Sequence, residues 1–164
     1  MTAPLPQQTG KELAREYKLE INTGDAETPV WAAVPGLQSN TLTVDGTEVD
    51  ATDMDSEGWD SKFIVGRAWA IACDGTKTFT KAADGSRTYN AAQALLEEKA
   101  NAIGDEAQIL VRRTNRVTGA GFMGWANVHL RTRGADKASL NPFNLELSGD
   151  GEMVLIPATE PETP

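Results

Sequence analysis

Apolar and polar residues alternate with a period of two along most of the chain. Leu13, Tyr17, Leu19 and Ile21 share one parity, while Glu16, Lys18, Glu20 and Asn22 share the other, as in a half-buried strand. Asn22-Thr23-Gly24-Asp25 predicts the turn that ends it. Residues 30–34 read as a short strand stopped by Pro35-Gly36. That order suits a type II turn, because Pro presets φ at the second position and Gly accepts a positive φ at the third. Residues 37–44 alternate again, Asp45-Gly46 is a hairpin signal, residues 48–52 suit a short edge strand and residues 53–58 a loop. Residues 61–73 form the long central strand, whose large apolar members Phe63, Trp69 and Ile71 are interleaved with Gly66, Ala68, Ala70 and Ala72. This content predicts cover on both faces. Asp74-Gly75 should then turn the chain back, and residues 76–88, with Asp84-Gly85 in their midst, should form a hairpin or surface excursion.

A helical pattern occurs at residues 90–103. Asn90 suits the N-cap with Gln93 three positions on, a variant of the capping box. Leu95, Leu96, Ala100 and Ile103 give an apolar stripe, and Gly104 stops the helix. Residues 107–117 and 122–133 predict two strands joined by Thr118-Gly119-Ala120-Gly121, with His129 on the polar side of the second. Phe143, Leu145 and Leu147 mark a further strand, and Gly149-Asp150-Gly151 predicts a turn into a last one at residues 153–156. About eight strands and one helix without regular βαβ alternation imply a mainly β fold, an antiparallel sandwich or rolled sheet with one flanking α-helix. The expected organisation is a flexible N-terminal arm (residues 1–12), one β domain (residues 13–156) and a solvated C-terminal tail (residues 157–164).

Charge sharpens this picture. The 164 residues carry a formal charge of −9, from 24 acidic and 15 basic side chains, which disfavours tight nucleic-acid binding. The signs are segregated. Asp45, Glu48, Asp50, Asp53, Asp55, Glu57 and Asp60 crowd a stretch with no basic residue before Lys62, and such a cluster cannot be buried unpaired. It has to meet water, metal or a basic partner. The matching basic residues, Arg112, Arg113, Arg116, Arg131 and Arg133, come late in the chain, so one copy's acidic arm could find another copy's arginines. No apolar run approaches the roughly twenty residues a membrane helix needs, and the N-terminus lacks the apolar middle of a secretory signal. The expectation is a cytoplasmic product that does not enter a membrane. Cys73, the single cysteine, reads as a small core hydrophobe.

Catalytic and ligand motifs fail on context. Asp53-x-Asp55-x-Glu57-Gly58 imitates the start of a calcium-binding loop, but the closing position is Ile64 instead of a bidentate Glu. Gly119-Ala120-Gly121-Phe122-Met123-Gly124 matches G-x-G-x-x-G but leads into a strand, where a dinucleotide site needs a helix. One histidine and one cysteine, on strands in unlike surroundings, make neither a nucleophilic set nor a zinc cluster, and the carboxylates crowd a loop instead of lining a cleft. No enzyme activity, cofactor or metal is expected.

Three segments together carry a resemblance. Val34-Pro35-Gly36-Leu37-Gln38-Ser39-Asn40, then Val49-Asp50-Ala51-Thr52-Asp53-Met54-Asp55-Ser56-Glu57-Gly58-Trp59, then Phe63-Ile64-Val65-Gly66 resemble the signature of major tail tube proteins from long-tailed phages and related gene-transfer particles. Phe143 to Glu152 is similar to that family's last strands, although Ala51 stands where the family pattern has Val. The resemblance implies a β-sandwich with one flanking helix, six copies closing into a ring, and rings stacking into a tube around a tape-measure protein. It makes the arm from Asp45 to Asp60 a clasp between rings, with Trp59 as its apolar anchor and its carboxylates meeting the late arginines of a neighbour. It further implies tail terminator and baseplate or distal tail proteins as partners, and DNA passing through the lumen without specific binding. Such a protein would reside in the virion tail after assembly in the host cytoplasm. From another class, a monomeric β-sandwich that binds a carbohydrate or receptor would use Trp31, Trp59 and Trp125 as its platform.

Overall fold

The computed structural model of the protein describes residues 10–55, 57–132, 134 and 136–159. Arg133 and most of the predicted leader and tail lie outside them. Seven strands form one antiparallel sheet: β1 (Tyr17–Asn22), β2 (Trp31–Ala33), β3 (Leu37–Asp50), β4 (Lys62–Gly75), β7 (Gln108–Asn115), β8 (Gly121–Thr132) and β9 (Asn144–Ile156), in the order β2-β1-β7-β8-β9-β4-β3. A small separate hairpin is made by β5 (Phe79–Lys81) and β6 (Arg87–Tyr89), and the one α-helix, α1 (Ala91–Asn101), follows it. The fold is therefore mainly β with a flanking helix. The sheet rolls: Asn40 on β3 donates to the Tyr17 carbonyl on β1 (3.1 Å) and accepts from Arg113 Nε on β7 (2.8 Å), which ties strands that lie far apart in the sheet order.

Alternation explains the core. Leu19 and Ile21, Ile109 and Val111, Ala126 and Val128, Leu145 and Leu147, and Ile71 and Cys73 send their side chains into the roll. Leu96 and Ala92 of α1 cover it from outside, with Leu95 and Ala100 packed alongside. Asn90 is the N-cap, its side chain accepting from the amides of Ala92 (2.9 Å) and Gln93 (3.3 Å). Burial pushes the Cys73 thiol up to about 12, Asp74 adding to the effect, so the group is inert as a nucleophile.

Several local expectations are overturned. The hairpin expected at Asp45-Gly46 does not form, because β3 runs on to Asp50 while Ile64 of β4 packs 3.3 Å from where a Gly46 Cβ would lie. Beyond Asp74-Gly75 the chain does not turn back; it stays extended beside residues 141–143, with Lys77 N–H bonded to the Asn141 carbonyl (2.9 Å). Gly149-Asp150-Gly151 does not turn the chain: Gly149 and Asp150 pair regularly with Ala126 and Trp125, and β9 continues through a bulge at residues 151–153, since Met123 already faces Val154. Leu13 lies ahead of β1, which is preceded by a 3-10 turn (Ala14–Glu16). Ile103 falls after the helix and is exposed.

Gln93 does not close a capping box. Its side chain is buried and ties together two backbone segments through three backbone groups: Nε2 donates to the carbonyls of Pro35 (2.9 Å) and Thr76 (3.0 Å), and Oε1 accepts from Thr78 N–H (2.9 Å). The positive φ of Gly36 (75°) allows this approach, since a Cβ there would lie 2.3 Å from the Thr76 carbonyl oxygen. Gln93→Leu keeps the bulk but leaves three backbone groups without partners, and should destabilise the protein by about 2–4 kcal/mol. Urea unfolding of the variant checks this; a loss within error of zero would mean that water replaces the amide.

Candidate functional site

The central feature is a ribbon that leaves the sheet. β3 and β4 pair along their length, from Leu37 opposite Gly75 to Asp50 opposite Lys62, whereas β4 pairs with β9 only from Ala70 to Cys73. From Lys62 to Trp69, therefore, β4 has β3 as its one paired neighbour among the described residues. The expected cover on both faces of β4 holds from Trp69 onward and fails before it: Phe63 (65% exposed), Ile64 (51%) and Val65 (63%) are open to solvent, as are Val44 and Val49 on β3. Glu48 and Ile64 form one opposing pair and Val49 and Phe63 the next, so apolar residues occur on both faces of the ribbon. Contiguous exposed apolar residues of this kind are characteristic of interaction surfaces.

The acidic stretch closes the ribbon. Ala51 N–H donates to the Ser61 carbonyl (2.8 Å), and the Thr52 hydroxyl accepts from Ser61 N–H (3.0 Å), pinning the base of the tip. Asp50 accepts from Thr52 N–H (2.9 Å), and the Thr52 hydroxyl and amide hold its carboxyl below the usual carboxylate range. Asp53 accepts from Asp55 N–H (3.1 Å), and Glu57 (φ 49°) and Gly58 (φ 84°) bend the chain through left-handed conformations. Met54 (102% exposed) and Trp59 (81%) project from the tip, beside the exposed Asp55, Glu57 and Asp60. Asp45 and Glu48 sit on the ribbon's β3 strand, where Glu48 approaches Lys62 at 4.0 Å in the open. Among the described residues, no three His, Cys, Asp or Glu side chains converge as metal ligands.

The late arginines do not form one free patch. Arg112 binds Glu20 (2.6 Å) and lies over the Trp31 ring at 4.4 Å. Arg113 donates to Asn40 and covers the Tyr17 ring at 4.1 Å. Arg131 binds Glu146 through Nε (2.8 Å) and Nη2 (2.5 Å). Arg116 makes no such pairing among the described residues. It shares a cleft with Arg15 and Lys18, a grouping that the sequence does not reveal because Arg15 lies about a hundred positions earlier. The signal is present only as two arginines flanking segments that the sheet brings together: Arg116 N–H donates to the Glu16 carbonyl (2.8 Å).

Glu20 is the buried acid of this face, although its parity marks it as solvent-facing. It is shared between Arg112 and Lys18, the latter at 2.9 Å. Burial pushes its carboxyl up, but the hydrogen bonds and charges of Arg112 and Lys18 outweigh burial, and the net shift is below the ordinary 4.5. A depressed folded-state pKa contributes stability that is present above the ordinary value and lost as the pH falls through the folded-state one. Glu20→Gln should therefore be less stable than the parent near neutral pH, with the gap narrowing below the ordinary 4.5. Urea midpoints at neutral and acid pH check this, and a gap that does not change with pH would assign the loss to packing.

The tryptophans are dispersed. Trp69 is core, Trp31 is covered by Arg112, Trp59 belongs to the tip and Trp125 lies on β8. Trp125 lines a cleft of about 350 Å³ together with Leu95, Lys99 and Leu110.

Solved structures share this fold. A chain from the tail of an empty gene transfer agent particle with C6 symmetry superposes with a TM-score of 0.63 at 13% identity, covering 89% of this chain and 99% of that one. The two share one fold. A chain from the virion of a native gene transfer agent particle gives a TM-score of 0.60 at 13% identity with the same coverage. No family model matches the sequence, and no curated protein matches it. The chain thus shares its fold with a chain from the tail of a gene transfer agent particle.

Proposed function

We propose that the protein is a structural virion protein, the subunit of a tail tube. Copies close into six-membered rings, the rings stack around a tape-measure protein, and the tube meets terminator and baseplate or distal tail proteins at its ends. Its product is an assembly and not a chemical turnover. The observation that carries this reading is the solitary β3–β4 ribbon, with apolar side chains on both faces and open strand edges that a lone soluble domain would have to cover. The shared fold with a chain of a C6-symmetric tail supports the ring. A charge of −9 suits a conduit for DNA, because a lumen of like sign lets phosphates pass without sticking.

Gel filtration followed by negative-stain imaging of the purified protein tests the reading. Rings or tubes are the expected result. A persistent monomer that binds glycans through Trp59 or Trp125 would overturn it in favour of a recognition module.

A further inference from the structure

We propose that the cleft between β1 and the start of β3 is the socket for the acidic tip of another copy's ribbon. This rests on the assembly reading above and names the contact that would join copies. The cleft has a volume of about 460 Å³, with Val34, Pro35 and Leu37 in its lining and Arg15, Lys18 and Arg116 around it. A second cleft of about 560 Å³ adjoins it, sharing Lys18 and Arg116 and adding Arg112. Two acids balance part of this charge: Glu20 is shared by Lys18 and Arg112, and Glu12 is held by the Tyr17 hydroxyl and Asn115. Arg15 and Arg116 have no carboxylate partner among the described residues. In a chain this acidic, a concave apolar floor with unspent guanidinium groups at its edge is a distinctive surface.

The ribbon tip has the complementary chemistry. Trp59 and Met54 are exposed apolar groups, surrounded by Asp55, Glu57 and Asp60. Trp59 suits the floor, and the carboxylates suit the planar fork of arginine. The chain cannot fill its own socket. β3 begins in the cleft, where residues 37–41 line it, and the tip lies past Asp50 at the strand's other end. From Thr41 to Asp50 is nine steps (50 − 41), which at the strand rise is roughly 30 Å of extended chain pointing away. A second copy, whose tip carries the matching apolar and acidic groups, is the occupant this complementarity fits. Donor and socket occupy different places on one chain, so the contact is head-to-tail and repeats from copy to copy.

Two measurements test this on the full-length protein. A fluorescent, end-capped peptide spanning residues 52–61 should bind the subunit. It should bind the Arg15→Glu/Arg116→Glu variant at least about tenfold more weakly, and raised salt should weaken it further. In imaging, that double variant and Asp55→Lys/Asp60→Lys should each remain folded but fail to make long tubes, while the four substitutions combined should restore them. Unaltered peptide affinity, normal tubes from the double cleft variant, or no restoration in the combined variant would overturn the socket. If the parent protein forms no tubes yet the peptide binds in an Arg15- and Arg116-dependent way, the socket stands and the tube assignment fails.

Discussion

Trp69→Ala should lower the unfolding free energy by about 3–5 kcal/mol, the range for removing a large aromatic from a core that cannot collapse around the hole. The indole is 7% exposed and lies across two glycines. A Cβ at Gly149 would come within 2.2 Å of its ring and one at Gly124 within 2.6 Å, so the ring occupies the space that side chains on β8 and β9 would otherwise fill. Its Nε1–H donates to the Gly151 carbonyl at 3.1 Å, inside the β9 bulge. Truncation removes the filler, leaves that carbonyl without its donor and exposes two bare strands. Denaturant unfolding with an unchanged m-value would read the loss directly. A change below about 1 kcal/mol would mean that β8 and β9 close up without the ring.

Deleting residues 53–58 should have the opposite profile, with little effect on stability and a large effect on assembly. The base of the tip is closed by backbone and Thr52 hydrogen bonds to Ser61, which lie outside the deletion, and none of the core residues comes from residues 45–68. The variant is expected to melt with the parent but to yield no long tubes in negative stain. Tubes of normal length would show that the tip takes no part in joining copies. Salt separates the two components of the contact: ionic pairing weakens as salt rises, whereas apolar seating of Trp59 persists.

Much of the fold is legible in the alternation alone, because a strand with one face in the roll must repeat every two residues. Parity by itself turns Leu145 and Leu147, or Ala126 and Val128, toward the interior, and the structure buries all four. Asn90 is equally legible, since a cap acts on its own next residues. What stays hidden depends on partners distant in sequence. Asp45-Gly46 carries a good local turn signal, but the ladder to β4 overrides it, and the bend falls among carboxylates that could not have been buried. Gly149-Asp150-Gly151 has the composition of a turn, yet Trp69, some eighty residues earlier, needs the space. Gln93 has the spacing of a local capping partner, but its amide serves Pro35, Thr76 and Thr78. The acidic tip is conspicuous in the sequence, whereas the proposed socket is not, because Arg15 and Arg116 come to one cleft through the β1–β7 pairing.

The ribbon's lack of backing also bears on timing. Two strands in water hold each other only marginally, so in a free copy the ribbon ahead of Trp69 is expected to open more easily than the sheet that backs the rest of β4. In the proposed assembly, the first two copies to meet would have to order that stretch before they gain from the contact, while every later arrival would find strands already held. Growth should then show a lag followed by rapid extension, and freshly made chains would stay dispersed until a template supplies the first layer.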